Sequence, residues 1–195
     1  MNSNFTPIAS GLVLAAIAAA ALAQTPAPAA GGITQVQALP AQRNVVIIPK
    51  ADIDKSLAAR KAATAGISLG VLGAVRAADD RVNVDVLYRN DPNAEGPVVH
   101  EVVTEIYYIL EGSGELETGG KIDDPVVMLT EGRPTNPASI GPSKRGTKMT
   151  GGSVRRVAAG DVVMIPPGQP HRFKSLNGSI SYMVVRVNPD YEKGK

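Results

Sequence analysis

The segment Gly160-Asp161-Val162-Val163-Met164-Ile165-Pro166-Pro167-Gly168-Gln169-Pro170-His171 decides how this chain reads. Residues 161–165 form a short apolar run of strand length, opened and closed by turn residues. Proline fixes φ, so the bent Pro-Pro-Gly-Gln-Pro stretch delivers His171 into the start of a new strand. A second segment answers it upstream: His100-Glu101-Val102-Val103-Thr104-Glu105-Ile106-Tyr107-Tyr108-Ile109-Leu110-Glu111-Gly112. Along a strand from Glu105, the side chains of Glu105, Tyr107 and Ile109 share one face, and Ile106 and Tyr108 the other. His100 lies an odd number of residues before Glu105. Both face inward only if a turn or bulge separates them.

Working outward, the rest of the chain from Ile67 has the same β rhythm. Residues 81–88 (RVNVDVLY) alternate polar and apolar, as a half-buried strand does. Further strands are expected at 98–100, 105–110, 126–129, 161–165, 172–175 and 179–187. Turns are expected at Asp91-Pro92-Asn93, Glu111-Gly112-Ser113-Gly114, Thr118-Gly119-Gly120, Ala159-Gly160-Asp161, Pro166-Pro167-Gly168 and Asn177-Gly178. Many short strands at this spacing predict an all-β antiparallel sandwich or barrel. Residues 44–49 (NVVIIP) read as a first strand, and 51–63 as a short helix closed by Gly66. Residues 130–152 are long, polar and rich in Gly and Pro, which reads as a loop insertion: a lid, a dimer arm or an inserted hairpin.

The 195 residues fit one domain plus processing segments. Gly11 to Ala23 is an uninterrupted apolar run ending in Ala21-Leu22-Ala23, a small-x-small pattern before Gln24. Residues 1–23 therefore read as a signal peptide cleaved after Ala23, although residues 1–10 contain no Lys or Arg. Export to the periplasm or beyond the cell is the expectation. Residues 24–43 contain the Pro/Ala/Gly-rich stretch 25–32 and read as a flexible linker, leaving 44–190 as the single domain.

The formal net charge of +2 gives no field that argues for nucleic acid or, once the signal is removed, for a membrane. Lys144, Arg145, Lys148, Arg155 and Arg156 cluster, and read as a solvated loop surface. Cysteine is absent, which excludes disulfides, thiolate metal sites and cysteine nucleophiles. Only two histidines exist, His100 and His171, so imidazole chemistry must use these. Imidazole nitrogens and a carboxylate suit Fe, Mn, Zn, Ni or Cu, and three such ligands from separate strands can converge inside a barrel.

The two segments resemble the paired motifs of the cupin superfamily. In the first, four residues separate His100 from Glu105, and six separate Glu105 from Gly112. In the second, Gly160, Pro166, Gly168 and His171 all fall at motif positions. The resemblance covers roughly residues 98–187. It departs in four places. Val98 occupies the first histidine position, and the glycine that should precede it is missing. Ser175 holds the closing asparagine position, and the gap between the motifs is long. The resemblance implies a jelly-roll β-barrel with a short N-terminal helix. It also implies one divalent transition metal (Fe, Mn, Zn, Ni or Cu) on His100, Glu105 and His171. Glu101 is an alternative ligand in a shifted register.

This two-histidine, one-carboxylate set is the ligand type of non-haem Fe(II) oxygenases. The implied activity is an oxygenase or isomerase acting on a small oxygen-bearing molecule, with Glu105 as ligand or detached as base. Tyr107, Gln169, Phe173 and Tyr182 are pocket candidates. The rival readings are a non-catalytic small-molecule or sugar-binding module, and a structural dimer joined through 130–152. A homodimer is a family-level expectation.

Overall fold

The structure, a computed structural model, describes residues 44–63, 66–77, 80–128 and 137–189. The signal peptide and linker readings, and residues 130–136 of the long loop, lie outside these. Among the described residues no helix is long and apolar enough to cross a membrane.

Helix α1 (Lys50–Lys61) follows Pro49, with Asp52 in its first turn and Arg60 and Lys61 in its last. Those charges oppose the helix dipole favourably. Strands β1 (Ile67–Ala77) and β2 (Asp80–Arg89) form an antiparallel pair with an irregularity between Val71 and Gly73. The helix packs against both, burying Leu57. The expected first strand at 44–49 is not a strand. Among the described residues that segment joins no ladder. Instead it leans on β1, with Val46 and Ile48 filling the space where Gly73 lacks a Cβ. Its alternation is real, since Val45 and Ile47 point to solvent. A single contact point on one glycine replaces the pairing.

The remaining strands are β3 (Val98–His100), β4 (Thr104–Thr118), β5 (Lys121–Ile122), β6 (Val126–Val127), β7 (Ser143–Arg145), β8 (Met149–Thr150), β9 (Ser153–Ala158), β10 (Val162–Ile165) and β11 (His171–Asn188), with helix α2 (Pro137–Ile140) after β6. The latter part of the expected loop is thus built into the fold. β7 pairs with β3 and β6, and β8 pairs with β5.

Two long strands organise everything else. The second half of β11 lies between β2 and the first half of β4, and β10 extends that sheet. The first half of β11 pairs with the second half of β4, whose other edge takes β9. β3 joins on at His171, opposite Val98. The Glu111-Gly112-Ser113-Gly114 and Asn177-Gly178 stretches, expected as turns, are bends inside continuous strands. Register slips between Phe173 and Ser175, Leu176 and Ile180, and Ser181 and Tyr182 absorb them. Bulges bend and twist a strand without ending it. The two halves consequently face each other across one core. Leu87 of β2, Ile109 and Leu116 from the two halves of β4, Val157 of β9, and Phe173 and Tyr182 from the two halves of β11 belong to one buried cluster. Each such side chain contributes about 1.5–3 kcal/mol by leaving water. The result is the expected antiparallel jelly-roll barrel with a short N-terminal helix.

The bend at Gly112 has a stringent backbone requirement. Its φ is +77°, and a Cβ there would stand 2.0 Å from the Ser179 carbonyl oxygen. Gly160 has a similar φ of +93° but nothing within 4 Å of its would-be Cβ. Gly160→Ala should therefore cost only the left-handed strain, about 1 kcal/mol. Gly112→Ala should cost at least about 3 kcal/mol, because strain and clash add. Urea unfolding of both variants checks this; equal losses would mean the bend tolerates a side chain.

Candidate metal centre

Three buried side chains from three strands meet inside the barrel. His100 ends β3, Glu105 lies at the start of β4, and His171 opens β11. Their donor atoms all lie within 4.8 Å of one another. The chain between His100 and Glu105 bends at Glu101 and Val102, which supplies the break that the odd spacing requires. Two backbone hydrogen bonds fix that bend: Glu101 N–H donates to the Pro142 carbonyl at 2.8 Å, and Gly168 N–H donates to the His100 carbonyl at 2.8 Å. The second of these ties the two motif segments to each other.

The hydrogen bonds behind the imidazoles fix which nitrogen carries the proton. Ser143 Oγ donates to the Ile140 and Gly141 carbonyls at 2.9 and 3.0 Å. Its lone pair is left to accept from His100 Nδ1 at 2.7 Å. His171 Nδ1 donates to the Gln169 carbonyl at 3.0 Å. In the neutral rings both Nε2 atoms then carry lone pairs, the state that binds metal. Those lone pairs face the same carboxylate: His100 Nε2 is 3.6 Å from Glu105 Oε1, and His171 Nε2 is 3.1 Å from Oε2. Acceptors turned on acceptors at this distance call for a proton or a cation between them. The donor set and its tautomers fit a divalent transition metal.

Electrostatics agree. Burial, the largest influence, lowers His100 to about 4; the Glu105 charge opposes it, and His171 and Arg186 add to it. His100 is therefore uncharged at neutral pH. Burial raises the Glu105 carboxyl, but His100, Arg186 and His171 more than offset it and hold it well below the usual carboxylate range. Because His100 is neutral above about pH 4, Arg186 is the fixed charge that keeps Glu105 ionised at pH 7. Arg186 Nε donates to Glu105 Oε1 at 2.6 Å, and its Nη1 donates to Asp85 Oδ2 at 2.5 Å. All three are buried.

Sequence reasoning missed Arg186, Asp85 and Ser143. Arg186 interrupts the apolar end of β11 at an inward-facing position, and that misplaced charge was the available signal; Asp85 gave none, because it belongs to the polar face of the 81–88 alternation, and that face (Arg81, Asn83, Asp85) is the buried one. Of the pocket candidates, Tyr107 adjoins the donors, its hydroxyl 2.9 Å from Glu105 Oε2 and 3.2 Å from His171 Nε2. Gln169 enters through its main-chain carbonyl. Its side chain lies in a cleft of about 640 Å³ beside Thr118, Ser153, Arg155 and Ile165. Phe173 and Tyr182 are packed in the core, 5.5 Å apart between ring centroids. Glu101 points outward to an ion pair with Lys144 at 2.6 Å and is not brought to the site. Val98 is buried, pairs with His171 and offers no donor.

No protein-family model matches this chain, and no curated protein matches it. Among solved structures it is similar to three barrels at low identity. An uncharacterized conserved protein with a double-stranded β-helix domain from Klebsiella pneumoniae subsp. pneumoniae MGH 78578 is 19% identical over 60% of this chain and 74% of that one, with a TM-score of 0.36. KdgF from Halomonas sp. is 18% identical over 67% and 84%, with a TM-score of 0.38. A cupin 2 conserved barrel domain protein from Rhodopseudomonas palustris is 18% identical over 63% and 60%, with a TM-score of 0.37. The strands of this chain pair as an antiparallel jelly-roll barrel, with the two motif segments on β3–β4 and on β10–β11.

The His100 environment sets a pH dependence. In the metal-free protein the folded pKa of about 4 lies below the unfolded value of 6.5. Between those values the unfolded chain binds the extra proton, so stability falls as pH drops from 6.5 toward 4, by about 3 kcal/mol. The depressed Glu105 carboxyl extends the loss to lower pH. Urea midpoints at pH 7 and pH 4.5, with chelator, should differ in the native protein and much less in His100→Gln; an unchanged difference in the variant would assign the slope elsewhere.

Proposed function

We propose that this chain is an exported cupin metalloenzyme. One divalent transition metal (Fe, Mn, Zn, Ni or Cu) is held by the Nε2 atoms of His100 and His171 and by Glu105. The carrying observation is that two imidazole lone pairs, each set by a hydrogen bond at Nδ1, converge on one buried ionised carboxylate. When bound, such an ion supplies Lewis acidity and positions open to a small oxygen-bearing substrate. The reaction class that fits two histidines and a carboxylate is an oxygenase or an isomerase.

The chain's own residues have separable tasks. Ser143 and the Gln169 carbonyl orient the imidazoles, and Arg186 pins Glu105 by Oε1. Without a metal, Tyr107 donates its hydroxyl proton to Oε2. A carboxyl held so far below neutrality is a poor proton acceptor at pH 7, so Glu105 is assigned the ligand role rather than that of general base. The apolar run ending at Ala23 supports export, and a mature chain beginning at Gln24 by N-terminal sequencing checks it. Exposed Tyr108, Val162 and Met164 on the β4–β10 face support a homodimer, which size measurement in solution tests.

A second reading, a non-catalytic small-molecule or sugar-binding barrel, is favoured by one observation. Both Glu105 oxygens already accept hydrogen bonds, from Arg186 and Tyr107, so the carboxylate has protein partners without a metal.

Metal analysis after reconstitution should find about one equivalent of transition metal per chain. His171→Ala should lose most of it. Gln169→Ala should lose little, because the carbonyl that orients His171 is main chain. Equal losses would mean the ligand assignment is wrong. Oxygen uptake with Fe(II) and a panel of phenols, sugars and diketones separates the readings: saturable binding without turnover selects the binding module.

A further inference from the structure

We propose that Tyr107 is a fourth donor to the metal, bound through its phenolate oxygen, so that the set is His100, Glu105, Tyr107 and His171. The inference rests on the metal reading above and deepens it.

Distance carries the argument first. The Tyr107 hydroxyl oxygen is 2.9 Å from Glu105 Oε2 and 3.2 Å from His171 Nε2. Two donors bound at right angles to one ion at about 2.1 Å are about 3.0 Å apart. The phenol oxygen therefore already has the spacing of a ligand relative to two others.

Rigidity comes next. Tyr107 is buried, its ring centroid 4.7 Å from that of Tyr182 and 6.2 Å from that of His171, edge-on at 76°. The strand fixes its direction as well, because Tyr107 lies two residues after Glu105 on the same inward face. The oxygen has nowhere else to go.

The phenolic proton settles the protonation state. Among the described residues, the hydrogen-bond partners of this hydroxyl are Glu105 Oε2 and His171 Nε2. Both are metal donors. A cation bound by these two donors lies within reach of the phenol oxygen, which already has a ligand's spacing to both. The O–H bond breaks, the proton leaves to buffer, and a metal–oxygen bond forms. A divalent ion at this place favours the deprotonated oxygen, as it does for other coordinated acids. Val98, which supplies no donor opposite His171, leaves room in the coordination shell for a fourth protein ligand.

Ferric iron is the probe, because phenolate bound to iron(III) gives a visible charge-transfer band that carboxylate and imidazole alone do not. The full chain is loaded with iron, oxidised with ferricyanide, desalted, and measured for iron content and visible absorption. The expected result is about one iron per chain with a visible band in the native protein. In Tyr107→Phe the iron should remain largely bound and the band should be gone, while Tyr182→Phe should keep both. One bound iron without a band in the native protein, or a band that survives in Tyr107→Phe, overturns the proposal. Failure to bind iron at all overturns the metal reading and this inference with it, a result distinguishable from the other two. Should Tyr107→Phe not fold, resonance Raman on the native protein with ring-deuterated tyrosine decides: shifted phenolate modes support the proposal, and their absence sinks it.

Discussion

Glu105 is 1% exposed and ionised, inside a barrel whose neighbouring layer is aliphatic and aromatic. Taking a carboxylate out of water costs several kcal/mol even after relaxation, unless its lone pairs are met. The interior of this protein is arranged around that cost. Arg186 meets Oε1, Tyr107 meets Oε2, and two imidazoles close the remaining side. Arg186 needs its own counterweight and finds it in Asp85 on the adjoining strand. A polar core this connected is stable only when every member is present. Four strands, β2, β3, β4 and β11, must therefore be in register before any of it holds.

The two long strands provide that register. β4 carries Glu105 and Tyr107 in one half and Leu116 in the other, while β11 carries His171 and Phe173, then Tyr182 and Arg186. Because each strand bends rather than stops, one chain segment contributes to both faces of the core. The hydrogen bond from Gly168 to His100 then fixes the turn that launches β11 against the strand that ends at His100. The site is thus a consequence of the bends at Gly112 and near Gly178 as much as of the donors.

Much of this was legible in the sequence, and what was not has a physical cause. The spacing from His100 through Glu105 to Gly112, and from Gly160 to His171, picked out the three side chains that meet inside the barrel, because those spacings are local. Period-two alternation placed Glu105 and Tyr107 inward for the same reason. Turn chemistry misled at Glu111-Gly112-Ser113-Gly114 and Asn177-Gly178, where glycine serves a bulge and pairing across the two long strands overrides the local tendency to reverse. Residues 44–49 look like a strand by composition, but among the described residues no ladder takes them in. Arg186 and Ser143 act on Glu105 and His100 across 81 and 43 residues. A local pattern can mark the inward charge at Arg186, but not the residue it reaches.

The central claim is that two imidazoles and Glu105 hold one metal ion. X-ray absorption at the metal edge of the reconstituted protein tests it most directly. The account predicts a first shell of nitrogen and oxygen donors at about 2.0–2.2 Å, with the outer-shell scattering of two imidazole rings. A shell of oxygen donors alone, or the scattering of a single imidazole, would contradict it.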